Sequence, residues 1–91
     1  MSKSDFIKNN QHLFWYFNKK ELQNISNAVL VEFILNYGNM QSVKDVLNIL
    51  GQETVAKEFS KAIQSNRNNY FPQVKNYFDL YFKKNVPQYP F

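Results

Sequence analysis

Residues 43–63 read VKDVLNILGQETVAKEFSKAI, and this stretch decides the fold. Apolar residues recur at helical spacing on both sides of Gly51: Val43, Val46, Leu47 and Leu50 before it, and Val55, Phe59, Ala62 and Ile63 after it. This spacing puts each set on one stripe of a helix that faces a core. A glycine suits the end of the first helix because it tolerates backbone turns that other residues resist. The stretch therefore predicts two consecutive amphipathic helices.

The helical pattern extends to both sides of this stretch. An apolar run precedes Gly38, and Phe71, Val74, Phe78 and Phe82 repeat the same spacing. We therefore predict helices near 26–37, 40–50, 53–65 and 70–84, with Gly38 as a left-handed residue after the first of them. Asn39 is predicted to cap the second helix, with Ser42 and Asp45 as an alternative capping box. Strand is the alternative for 28–35, which contains several β-branched residues.

The two ends of the chain lack this period. Residues 4–17 are predicted to be short or irregular, with a turn at 18–24, and the prolines of 86–91 predict an extended tail. The predicted fold class is all-α: a compact bundle of four to five short helices with an extended C-terminal tail. We expect one domain over 1–91, with 1–12 and 86–91 at its periphery. The predicted core is Val46, Leu47, Leu50, Phe59, Ile63, Val74 and Phe78.

Composition agrees with a small helical domain. The chain has 91 residues, 18% of them aromatic, with two glycines and three prolines. So few turn residues favour helices over a sandwich or barrel. The absence of cysteine favours a reducing compartment, and the polar N-terminus resembles no signal peptide. We therefore expect a cytoplasmic protein without a membrane partner.

Charge and amide content are the other unusual bulk properties. The formal net charge is +4, which could attract an acidic partner but is well short of a polybasic tract. Thirteen asparagines and seven glutamines are present. They can reflect an AT-rich genome or a special role for the amides.

Residues suited to catalysis or metal binding are sparse. His12 is the one histidine, cysteine is absent, and the seven carboxylates are spread along the chain. A zinc site would need carboxylates alone, which is not a usual ligand set. The two glycines are isolated, so no phosphate-binding loop is recognisable. We therefore expect no enzyme activity, no metal and no cofactor.

Four consecutive aromatic residues, Phe14 to Phe17, form the most unusual local feature. They cannot all face one core, because adjacent side chains point in different directions. One interpretation is that two face inward and two are half-exposed. The functional interpretation is that Phe14, Trp15 and Tyr16 contribute to a partner-binding surface, since Trp and Tyr are enriched in interface hot spots.

The helix–glycine–helix stretch also suggests the hypothesis of a DNA-binding protein, because the helix-turn-helix motif has this arrangement. The helix-turn-helix motif usually has a small residue four positions before the turn glycine and a β-branched residue six positions after it. Those positions hold Leu47 and Lys57, so the phasing fails. Lys57, Lys61 and Arg67, with Gln64 and Asn68, could still line a groove for nucleic acid. A solvated basic face is the simpler interpretation.

Several of these features resemble a small bacterial all-helical family of unknown function. They are Leu13-Phe14-Trp15, the Tyr37-Gly38 turn, Leu50-Gly51 and the aromatic last helix, within residues 13–82. The family typically has Asp at the position of Tyr16 and Tyr at the position of Leu50. It is associated with AbiEii-like nucleotidyltransferase toxins of the abortive-infection type. The resemblance implies an antitoxin-like or regulatory partner protein and no established functional residues.

The sequence therefore predicts a non-catalytic protein-interaction module, with toxin–antitoxin pairing as the role that the resemblance implies. The expected partner is another protein, and a second copy of the chain is an alternative. A small helical DNA-binding regulator is the second hypothesis, although we expect no nucleic-acid partner.

Overall fold

The computed structural model describes residues 2–14, 17–65 and 68–91. These residues form helices and connecting turns without a strand, which confirms the all-α fold class. The Cα radius of gyration is 12.7 Å, close to the ~12 Å of a compact domain of this length. Within the described ranges, the helices are α1 Lys3–Asn9, α2 Lys19–Gln23, α3 Asn27–Tyr37, α4 Met40–Leu50, α5 Gln52–Gln64 and α6 Pro72–Asn85.

The four predicted helices correspond to α3–α6, with ends that differ from the prediction by no more than two residues. Residues 28–35 lie within α3, so the strand alternative is wrong. The described residues also contain two shorter helices: α1 lies mainly in the segment predicted to be short or irregular, and α2 lies in the predicted turn.

Side-chain caps set the starts of the first four helices. The cap residue of each accepts a hydrogen bond from a backbone N–H three positions later; these residues are Ser2, Asn18, Ser26 and Asn39. Such bonds satisfy a donor that the helix itself leaves unpaired. Asn39 caps α4 as predicted, and its capping-box partner is Ser42. The alternative box of Ser42 with Asp45 is wrong.

The two glycines have different roles from each other. Gly38 has φ −74°, so the predicted left-handed conformation is wrong there. A Cβ at this position would lie 2.6 Å from the carbonyl oxygen of Ile34 and 3.2 Å from Cβ of Ser42. Gly38 is therefore needed for the close approach of α3 and α4. Gly51 has φ +89°, a conformation that L-residues rarely adopt, and it joins α4 to α5.

The core has two adjoining parts. One is centred on Phe59 of α5 and Phe82 of α6, and the other on Ile34 of α3 and Val46 of α4. Val43 and Leu50 pack against both parts. Of the seven predicted core residues, four are buried and three are partly buried against the core: Val46, Leu47, Phe59 and Phe78, then Leu50, Ile63 and Val74.

Both ends of the chain contribute side chains to this core, although most described residues of 1–12 and 86–91, the segments predicted to be peripheral, are exposed. Phe6 of α1 is fully buried, and Val86 and Tyr89 of the tail are buried beside α5 and α6. The ammonium of Lys3 donates a 2.6 Å hydrogen bond to the carbonyl oxygen of Ile25, which holds α1 against the start of α3. The tail contains a turn at 87–88 rather than being fully extended.

Asparagine and glutamate side chains of α3 hold the segment that precedes α6. Asn36 donates to the carbonyl oxygen of Asn69 and accepts from the backbone N–H of Phe71, while Glu32 accepts from the backbone N–H of Asn69. The following Pro72 is the first residue of α6, where its missing N–H leaves no helical bond unmade. These amides therefore have a structural role that sequence composition left open.

Candidate interaction surface

The α3–α4 corner brings two helices close together and opens a groove beside them. Asn39 and Ser42 exchange hydrogen bonds of 2.8 and 3.1 Å at the start of α4. This cap starts α4 immediately after Gly38. Met40, the first residue of α4, is left 64% exposed at the edge of the corner.

The groove lies between this corner and α6 and has a volume of about 280 Å³. Buried side chains from three helices form its floor: Leu35, Leu47 and Phe78. Met40 lines one side, and Tyr77 and Tyr81 line the other. The surface is mainly apolar, as is typical of sites that bind another apolar group.

Helix α6 supplies apolar side chains to solvent as well as to the core. Phe78 and Phe82 are buried, whereas Tyr77 is 54% and Leu80 is 60% exposed. Tyr77 and Leu80 are three residues apart and so lie on the same side of α6. The Tyr81 ring packs in an edge-on arrangement against Phe78, which fixes its place at the groove. The outer side of α6 next to the groove is therefore apolar.

Positive charge accompanies this apolar surface. Lys44 is the charged residue among the described residues that line the groove, and it is exposed. Lys84 follows Tyr81 by three residues and Tyr77 by seven, so it lies on the same side of α6. Neither lysine forms an ion pair with a described residue, whereas Lys83 binds Asp79 at 3.0 Å.

A second depression lies on the other side of α3, lined in part by Val29, Tyr37 and Phe71. These three side chains are exposed, and the Tyr37 and Phe71 rings meet edge-on with centroids 5.4 Å apart. Glu32 and Asn36 also line it, but their polar atoms are engaged in holding 69–71. This depression is therefore more polar and partly committed to the fold.

The predicted aromatic hot spot is described only in part. Phe14 is 2% exposed, and its ring stacks on Phe33 with centroids 5.1 Å apart. It also meets Phe6 edge-on, so Phe14 belongs to the core rather than to the surface. Trp15 and Tyr16 lie outside the described residues, and the hypothesis of a partner contact there remains a prediction.

The predicted basic set is also described only in part. Lys57 and Lys61 are exposed on α5, and Arg67 lies outside the described residues. The ammonium of Lys57 stands 5.6 Å from the centre of the Phe91 ring, an arrangement that attracts a cation. Gln64 donates a 2.9 Å hydrogen bond to the carbonyl oxygen of Phe91. Part of this face therefore holds the tail.

Ionisable groups are dispersed among structural contacts. His12 is exposed in a turn. Among the described residues, no cluster of three histidine or acidic side chains could hold a metal ion. Burial raises the pKa of the Tyr70 hydroxyl, helped by the nearby charges of Glu32 and Glu58. A hydrogen bond from Tyr89 lowers the pKa of Asp79, assisted by Lys83.

No protein-family model matches the sequence, and comparison with curated proteins and with solved structures gives no match. The resemblance to the small bacterial family therefore stays a hypothesis. Within the described ranges, no helix combines the length and apolar character that crossing a bilayer requires.

The apolar residues beside the groove were not singled out from the sequence, although a signal for them was present. Tyr77 and Leu80 fall outside the stripe of Val74, Phe78 and Phe82, so α6 carries more apolar residues than one core-facing stripe needs. Such an excess indicates a second apolar contact. The position of Met40 had no comparable signal, because it depends on the α3–α4 corner.

Proposed function

We propose that the chain is a non-catalytic protein-interaction module that binds another protein through the groove between α4 and α6. The observation that supports this proposal is that two strongly exposed apolar side chains, Met40 and Tyr77, line one apolar groove, with exposed Leu80 three residues after Tyr77 on α6. Single exposed apolar residues are normal, but a grouped set beside a concave apolar surface is typical of binding sites.

The role of the partner is a further part of the proposal. Following the resemblance described above, the chain would act in the cytoplasm as an antitoxin-like or regulatory subunit of a toxin enzyme. Association then covers the groove and requires no reacting group on this chain. The alternative of a DNA-binding regulator has less support, because Lys57 and Gln64 are engaged with Phe91.

Affinity capture from the native cell extract tests the proposal with matched variants. Tyr77→Ser combined with Leu80→Ser removes apolar area from the groove lining, at Tyr77, and from the adjoining exposed surface of α6, at Leu80. Val29→Ser combined with Phe71→Ser removes exposed apolar area from the second depression. All four positions are exposed, so both variants should melt within a few degrees of the parent.

We expect the same protein to be retained by the parent and by the Val29/Phe71 variant and to be lost from the Tyr77/Leu80 variant. Retention by the Tyr77/Leu80 variant would show that the groove is not the contact surface. Loss from the Val29/Phe71 variant alone would place the contact at the second depression and contradict the proposal.

A further inference from the structure

The charges around the groove are unbalanced in one direction. Lys44 lines the groove itself, and Lys84 lies one turn beyond Tyr81 on the same side of α6. Neither is paired with a described acidic residue. Asp45 follows Lys44 but accepts a hydrogen bond from Gln41, and Asp79 is engaged by Lys83 and Tyr89. The nearby carboxylates thus have other partners.

The lining of the groove suits an apolar ligand. Its floor is formed by Leu35, Leu47 and Phe78, and its two sides come from helices α4 and α6. An amphipathic helix laid into such a groove buries side chains at i, i+3, i+4 and i+7 and leaves its flanks at the rims. The residues on those flanks would meet Lys44 on one side and Lys84 on the other.

We infer that the groove binds an amphipathic helix of a partner protein whose flanks carry acidic residues. This inference rests on the proposed function and specifies its partner. Acidic flanks complement the two lysines, and opposite charges at an interface rim favour association and reject partners of the wrong sign. A second copy of the chain is a poorer occupant, because it would bring the same lysines and a net charge of +4 to the contact.

Three synthetic helical peptides of about 18 residues serve as probes. They share one leucine stripe and differ only in the flanking residues, which are glutamate, glutamine or lysine. Fluorescence anisotropy with the full chain measures the affinity of each peptide at low and at moderate salt. We expect the glutamate peptide to bind about 10-fold more tightly than the lysine peptide at low salt, with a smaller ratio at higher salt because ions screen exposed charges.

Variants of the chain identify the groups responsible. Lys44→Glu should reduce or reverse the preference for the glutamate peptide, whereas Lys61→Glu makes the same change in net charge on α5 and should leave the preference unchanged. Tyr77→Ser should weaken the binding of all three peptides without changing the order of their affinities. Sedimentation of the chain alone tests for self-association at the same surface.

The inference is overturned if no peptide binds, if the three bind equally, or if Lys61→Glu changes the preference as much as Lys44→Glu. Dimerisation that is abolished by Tyr77→Ser would also overturn it, since a second copy would then occupy the groove. These outcomes differ from failure of the proposed function, because capture of a partner that depends on Tyr77 and Leu80 does not require charge preference.

Discussion

The Tyr89 hydroxyl donates a 2.6 Å hydrogen bond to a carboxylate oxygen of Asp79. This bond joins the C-terminal tail to α6, ten residues earlier in the chain. It holds the pKa of Asp79 below the usual range of a carboxyl group, with a smaller contribution from Lys83. Burial raises the pKa of Tyr89, and the same contact with Asp79 raises it further.

Tyr89→Phe removes the bond and keeps the ring in the core. We expect a loss of about 1 kcal/mol at neutral pH, the usual size of a hydrogen bond at a partly exposed site. Because folding lowers the pKa of Asp79, the stability linked to it is present above about pH 4 and is lost as the pH falls through its folded-state pKa. The difference between variant and parent should therefore shrink in acid.

Denaturant unfolding at several pH values measures that difference, and carbon NMR of the Asp79 carboxyl follows its titration. Tyr77→Phe is the control, because the Tyr77 hydroxyl makes no hydrogen bond to a described residue. An unchanged Asp79 titration in Tyr89→Phe would contradict the assignment.

The buried hydroxyl of Tyr70 should affect how the stability of the protein changes at alkaline pH. Burial raises the pKa of its hydroxyl, so the neutral form is favoured by folding. The corresponding stability is complete below the unfolded pKa of about 10 and declines as the pH rises above it. We expect Tyr70→Phe to lose less stability than the parent as the pH rises above about 10. Parallel alkaline loss in both proteins, measured by urea unfolding, would rule out this cause.

Phe59 is the residue on which the larger part of the core depends. It is fully buried, and its ring lies within 5.0 Å of Tyr70 and 5.5 Å of Phe82, measured between centroids. Phe59→Ala should cost about 3–5 kcal/mol, because it loses buried area and leaves a cavity. That is a large part of the stability of a small domain. Leu80→Ala is the exposed control and should change the melting temperature little; similar losses in both variants would contradict this picture.

The helical periods predict α3–α6 because each of those helices buries a stripe of its own. Helices α1 and α2 are too short for a period to be visible, and local caps and tertiary contacts such as the Lys3 bond to Ile25 determine them. The burial of Tyr89 likewise depends on how the tail returns to α6. Such contacts join residues distant in sequence, which no local pattern records.

The sequence predicts the helices that carry the groove residues but not the groove itself. The sequence places Tyr77 beside the α6 stripe and Met40 at the start of a helix, but it does not bring them to one surface. That arrangement follows from the α3–α4 corner, where Gly38 allows the close approach and Asn39 starts the next helix. The aromatic run is conspicuous in the sequence because four bulky residues are adjacent, although Phe14 belongs to the core.

Substitution of Gly38 and of Gly51 should destabilise the protein for different reasons, steric overlap at Gly38 and backbone conformation at Gly51. Gly38→Ala should cost about 1–3 kcal/mol, because the new Cβ would overlap the carbonyl oxygen of Ile34. Gly51→Ala should cost a similar ~1–3 kcal/mol through its positive φ, since nothing lies within 4 Å of the added Cβ. Amide NMR shifts distinguish the two, since only Gly38→Ala should perturb both Ile34 and Ser42. If Gly51→Ala is neutral, the positive φ is not required.

Binding of duplex DNA tests the hypothesis of a DNA-binding regulator. Because the helix-turn-helix phasing fails and the net charge is only +4, we expect no sequence-specific complex. Weak contact at low salt should fade by ~200 mM, since phosphate contacts release counterions whose advantage falls as salt rises. Lys61→Glu should weaken this contact to the same degree for every duplex, as expected for a lysine that meets phosphates rather than bases. Fluorescence anisotropy with several unrelated duplexes over a salt series measures both effects. A nanomolar complex with one duplex that persists at high salt would favour the DNA-binding hypothesis over the protein-interaction module.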